Sequence, residues 1–149
     1  MLATQRGTRL HAFACEAIQL GIKLPKSKKT LNLYVNDAIG YKMTPEQLLY
    51  YSDNCFGTAD AIAFRQNFLR IHDYKSGESK TSMHQLEVYT ALFCLEYRLN
   101  PNDIKIELRL YQLDEILIHE PSPDDIHQII DKIIIFDKRI EKIKIGEEE

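Results

Sequence analysis

The sequence predicts an α/β fold in which a central mixed β-sheet is flanked by helices. Three observations predict it. Apolar residues recur at helical spacing over residues 4–20, 80–99 and from Ile126 onward. A stretch from about 55 to 75 has strand character and is interrupted by the turn residues Gln66 and Asn67, as in a hairpin. A second alternating run, Ile104, Ile106, Leu108 and Leu110 against Lys105, Glu107, Arg109 and Tyr111, reads as a strand with one wet face.

The elements follow in order. Leu10, Phe13, Ala14, Ala17, Ile18 and Leu20 give a helical stripe over 4–20, and Gly21 closes it. Residues 21–29 form a basic loop. A second helix is expected near 29–40, with Leu31, Val35, Ala38 and Ile39 inward and Gly40 as its stop. Thr44-Pro45-Glu46-Gln47 opens a short helix or leads directly into a strand at 48–51, which Ser52-Asp53-Asn54 ends. After the hairpin, Ser76–Ser79 is a loop before the helix at 80–99. Asn100-Pro101-Asn102-Asp103 then breaks the chain ahead of the strand at 104–111. Gln112-Leu113-Asp114 turns into a strand near 115–120. The last helix has Ser122 as its cap, Pro123 in its first turn, and Asp124 and Asp125 at its positive end.

The chain of 149 residues suits one domain, expected over 1–146 with an acidic tail at 147–149. Such a length buries roughly two-thirds of the unfolded surface, so the core needs no staples. No apolar run approaches the roughly 18 residues of a membrane span. The N-terminal residues lack the apolar region of a signal peptide, so cytoplasmic residence is the expectation. Cys15, Cys55 and Cys94 are widely spaced and form no CxxC, which argues against zinc and iron–sulfur sites and for free buried thiols. The net charge of −3 does not advertise nucleic-acid binding, but local charge matters more than the sum. Lys23, Lys26, Lys28 and Lys29 cluster around a Pro-Ser loop, where they meet phosphates or remain solvated.

The chemistry concentrates between Gly57 and Tyr89. Side chains alternate along a strand, so 69, 71, 73 and 75 share a face, which Leu69 and Ile71 mark as buried. Asp73 and Lys75 extend that row. Asp60, Ile62 and Phe64 share a face on the preceding strand in the same way. Two carboxylates ending core-facing rows are costly without partners, and a metal ion with a lysine beside it removes that cost. Gln85 and Tyr89 lie one helical turn apart.

Gly57-Thr58-Ala59-Asp60, Asp73-Tyr74-Lys75, Gln85-x-x-x-Tyr89 and the upstream Gly7-Thr8-Arg9-Leu10-His11 together resemble the RecB-like exonuclease branch of the PD-(D/E)xK nucleases. The resemblance covers about a third of the chain, residues 7–11 and 56–93. It implies a restriction-endonuclease-like core of helix, three-strand meander, helix and strand, with the helix at 29–40 and the closing strand and helix as additions. It implies magnesium or manganese held by His11, Asp60, Asp73 and the backbone carbonyl of Tyr74, and no iron–sulfur cluster. Asp73 stands where the wider family often has Glu. Lys75 would be catalytic, and Gln85 and Tyr89 would line the site against DNA or orient the lysine. Without the resemblance, His11 reads as a core histidine and Glu16 as surface. Lys80, Thr81 and Ser82 either bind a phosphate or cap the helix.

The function implied is metal-dependent hydrolysis of DNA, from an end, in recombination, repair or phage DNA processing. The stand-alone size resembles phage or prophage recombination exonucleases, in a bacterial cell or phage-infected host, with a recombination protein as a further partner. A structure-specific endonuclease on the same fold and a non-catalytic DNA- or protein-binding module are the alternatives. The isoleucines of the last helix exceed what one face buries, so either a homo-oligomer or the N-terminal helices cover the surplus.

Overall fold

The computed structural model describes residues 3–79 and 81–148, with side chains over 6–79 and 81–146. The elements are α1 (Ala3–Leu20), α2 (Thr30–Gly40), β1 (Thr44–Ser52), β2 (Cys55–Arg65), β3 (Phe68–Tyr74), α3 (His84–Tyr97), a 3-10 turn (Pro101–Asp103), β4 (Lys105–Gln112), β5 (Glu115–His119) and α4 (Pro123–Glu148). The strands form one sheet in the order β1-β2-β3-β4-β5. Among the described strands only β3 and β4 pair in parallel. The chain is therefore α/β with a central mixed sheet, and α3 supplies the crossover that a parallel pair needs. Among the described residues no helix is long and apolar enough to cross a membrane.

Local chemistry explains the boundaries. Gly21 adopts φ 68° and ends α1, with its N–H and that of Ile22 bonded to the carbonyls of Ile18 and Ala17. Gln66 and Asn67 both take positive φ, 51° and 58°, the pair of values a two-residue hairpin turn requires. The segment 44–47 is strand from Thr44, not a short helix. α3 starts at His84 rather than near 80, and the Ser82 hydroxyl accepts from the His84 N–H, a local turn bond. Lys80 lies outside the described residues. Ser122 accepts the Asp125 N–H at 3.2 Å at the start of α4. Of the expected acidic tail, Glu147 and Glu148 are described only as backbone at the end of α4, and Glu149 lies outside the description.

Two cores sandwich the sheet. Leu49, Ile62, Leu69, Ile71, Leu108 and Ile126 pack on the side of α3 and α4. Ala14, Ile18, Val35, Ala38, Ala61 and Tyr111 pack on the side of α1 and α2. Each large apolar side chain buried this way contributes roughly 1.5–3 kcal/mol. The expected wet face of β4 is wet only at Lys105. Tyr111 is buried, and Glu107 and Arg109 are largely covered. Glu107 bonds Arg70 at 2.7 Å and Arg109 at 2.8 Å, while Asp37 of α2 accepts from the Tyr111 hydroxyl at 2.6 Å. Polar residues there read as solvent-facing, but they clamp α2 to the sheet. All three cysteines are free, as expected; of the three, Cys94 is fully buried, whereas Cys15 and Cys55 are only partly buried.

Candidate active site

The hairpin β2–β3 delivers the two acids. Its ladder pairs Ile62 with Ile71 and Ala61 with His72 and goes no further. Asp60 and Asp73 come next, just past its end. There the Asp60 carboxylate accepts the Tyr74 N–H at 2.9 Å, a side-chain bond in place of a ladder bond. Asp73 continues the buried row of Leu69 and Ile71, as expected, and is only 2% exposed.

Asp60 departs from its expected row. Ile62 packs with the α3-side core and Ala61 with the α1-side core, but Ala59 is again in the α3-side core. Strict alternation would place 59 and 61 together, so its sense reverses at Asp60. The β1 strand reverses with it: Leu49 packs on the α3 side, and Met43, the residue just before β1, on the other. Between them Glu46 takes φ 51°. Pro45 pairs with Ala61 and Gln47 with Ala59, so Glu46 is level with Asp60. The two strands bend together at the site. Glu46 was missed by sequence reasoning, because the bend depends on pairing between strands; Pro45 beside it was the available signal.

His11 reaches the hairpin from α1. Its Nδ1 lies 2.8 Å from the Gly7 carbonyl and its Nε2 2.6 Å from the Tyr74 carbonyl. Both partners only accept, so the ring satisfies both by carrying two N–H groups. Asp60 Oδ2 lies 3.4 Å from Nε2. The hydrogen bond to Asp60, helped by the Gly7 and Tyr74 carbonyls and opposed by burial, pushes the imidazole up to about 9. Burial pulls the Asp60 carboxyl up, but His11, Asp73 and the Tyr74 N–H together hold it below the usual carboxylate range.

Asp73 has the reverse fate. Burial first, then the neighbouring Asp60 carboxylate, pushes it up to about 7, with Lys75 opposing. Lys75 lies one residue past β3, its N–H bonded to the Tyr111 carbonyl. Its ammonium is 3.4 Å from Asp73 Oδ2, within ion-pair range but not aligned as a hydrogen bond, and that buried oxygen has no hydrogen-bond partner.

Gln85 and Tyr89 meet at 2.8 Å, amide to hydroxyl, on the first turns of α3. Burial, Asp73 and Asp60 all raise the Tyr89 phenol, which places it within electrostatic reach of both acids. The ring rests on Gly57: a Cβ there would lie 2.7 Å from Tyr89 Cε1. Gly57 is thus the seat of Tyr89. Beneath the site Tyr34 stacks on Tyr74 at 5.6 Å. Glu16 is exposed, in line with its reading as surface.

Asp60, Asp73, His11 and the Tyr74 carbonyl are the groups that can hold a divalent cation. The unpartnered Asp73 oxygen and the raised carboxyl are what such a cation would satisfy. Among the described residues no group of three or more His, Cys, Asp or Glu side chains is already drawn together as a metal cluster.

No protein-family model and no curated protein matches the chain. The crystal structure of SSO0001 is similar over 72% of this chain and 56% of that one, at 16% identity and a TM-score of 0.40. The chain thus spans little more than half the length of that protein.

Proposed function

We propose that this protein is a magnesium- or manganese-dependent DNA nuclease, acting as an exonuclease in recombination, repair or phage DNA processing. The observation that carries the reading is Asp73: a carboxylate buried beside Asp60 with one oxygen unbonded and a lysine 3.4 Å away. A fold has little reason to keep that arrangement for stability. The order of helix, three-strand meander, helix and parallel strand agrees with the restriction-endonuclease-like core that the sequence motifs imply.

A bound divalent ion supplies Lewis-acid polarisation of a phosphate oxygen and a water of lowered pKa. The other steps belong to the chain. Asp60 and Asp73 offer oxygen ligands, which both metals prefer, and the His11 imidazole tilts the preference towards manganese. To serve as a ligand, His11 must give up the Nε2 proton it shares with the Tyr74 carbonyl. Lys75 orients the attacking water and neutralises charge building on the phosphoryl oxygens. Tyr89, braced by Gln85 and seated on Gly57, presents a hydroxyl and a ring to the DNA strand.

Calorimetric titration with manganese tests the reading. The wild type is expected to bind and Asp73→Asn to bind at least tenfold more weakly. A wild type that takes up no manganese, or an Asp73→Asn protein that binds it equally well, would contradict the assignment.

A further inference from the structure

A cleft of about 680 Å³ opens beside the site, and nothing in the motifs assigns it. It shares Tyr74 and Lys75 with the catalytic cluster and runs from there to Arg6 of α1 and Thr30, the first residue of α2. Its far wall is the loop after Lys75. Gln112 fixes that wall by donating to the Gly77 and Ser79 carbonyls at 2.9 and 2.6 Å. At the back, α1 meets the loop closely: a Cβ on Gly7 would lie 3.0 Å from the Ser76 hydroxyl.

Three features of this cleft await an anion. Thr30 is 8% exposed, and its hydroxyl makes no hydrogen bond among the described residues. The residue before it, Lys29, gives α2 no side-chain cap, so the first-turn N–H groups of an eleven-residue helix gain no protein acceptor there. Arg6 forms no ion pair among the described residues, although Glu78 and Asp114 line the same cleft. An uncapped helix N-terminus, a free hydroxyl open to the cleft and an unpaired guanidinium are complementary to phosphate. The two acids sit on the outer loops and set the limit on net charge, which favours one phosphate over a polyanionic cluster.

We propose that this cleft is a phosphate-docking subsite for the DNA strand, receiving a phosphate next to the one held at Asp60 and Asp73. The proposal rests on the nuclease reading for its ligand, and it adds how the strand is set in register. Lys75, common to both spaces, marks where the docked strand passes into the catalytic cluster. Lys28 and Lys29, just before Thr30 in the chain, are exposed and add positive charge near it.

The test is binding of a fluorescently labelled single-stranded DNA oligonucleotide, read by anisotropy in EDTA over a range of salt. Arg6→Ala is expected to weaken binding about tenfold and make the salt slope shallower by about 0.7, one phosphate contact fewer. Thr30→Val should weaken it about threefold. Arg6→Gln, which keeps a polar side chain but not the charge on an exposed helical position, should behave like Arg6→Ala. Unchanged affinity and slope in all three variants would overturn the subsite. If inorganic phosphate at millimolar concentration raises the melting temperature of the wild type while the oligonucleotide fails to bind, the site holds free phosphate and the strand assignment is overturned. Turnover is assayed separately, so a wild type that binds the strand through Arg6 but cleaves nothing would sink the nuclease reading and leave the subsite standing.

Discussion

Asp73 is held where a carboxylate is least comfortable, and stability should record this. Its carboxyl titrates at about 7 in the fold against an ordinary 3.8. A raised value means the fold favours the protonated form. That stability is full below pH 3.8 and is lost as pH rises through about 7. Asp73→Asn is therefore expected to stabilise the metal-free protein at pH 8 by roughly 1–3 kcal/mol, with the gain vanishing below about pH 4. Urea denaturation at the two pH values checks it, and a destabilised Asp73→Asn at pH 8 would contradict it. His72 works in the opposite direction. It is fully buried against Tyr41 and Tyr111 with Nε2 unbonded, and burial, then Arg109 and Arg70, push it down to about 3 from 6.5. The neutral ring contributes full stability above pH 6.5, which is lost as pH falls towards 3. His72→Phe should lose that acid sensitivity, giving a flatter stability profile between pH 6.5 and 4 than the wild type. For Lys75→Ala the expected loss is in turnover, about two to four orders of magnitude, with manganese affinity largely kept. Single-turnover kinetics beside calorimetry separate the two.

At the scale of elements, the contact between β2 and α3 is the most constrained. Gly57→Ala puts a methyl carbon 2.7 Å from the Tyr89 ring, so strand or ring must move. The expected cost is roughly 1–3 kcal/mol, with cleavage impaired as Tyr89 leaves its seat; a variant equal to wild type in urea and in rate would refute that role. Much of this level was legible in the sequence. Leu69, Ile71 and Asp73 alternate with no interruption, and Gln66-Asn67 suits a left-handed turn, so the hairpin and the place of Asp73 follow from local pattern. The face of Asp60 did not follow, because its reversal is shared with Glu46 on β1, and pairing between strands leaves no mark in either stretch alone. The covered face of β4 was misread for a related reason: Glu107 and Arg109 have polar side chains, and only the approach of Arg70 and Asp37 turns that polarity into a buried clamp. The Arg6–Thr30 cleft carries no motif and depends on two helix starts meeting one loop.

For the molecule as a whole, α4 leaves a question of coverage. It packs on α3 and the 3-10 turn, while α1 and α2 occupy the other face of the sheet. The N-terminal helices therefore do not cover its surplus, and Ile135, Phe136, Ile143 and Ile145 stand about half exposed. Exposed apolar side chains in this number on one helix are expected to drive self-association. Light scattering at micromolar concentration should give a mass above the 17.4 kDa of one chain; a monomer with and without DNA would refute this and leave the site untouched. Whether the paired acids and Lys75 hydrolyse DNA with a divalent metal is decided by a time course on end-labelled linear duplex DNA. With manganese or magnesium the wild type should release short labelled products from the ends, stop on addition of EDTA, and leave closed circular DNA intact, while folded Asp73→Asn protein releases none. Linear DNA that survives intact with either metal, or an Asp73→Asn protein that cuts at the wild-type rate, would rule out this metal-dependent nuclease site.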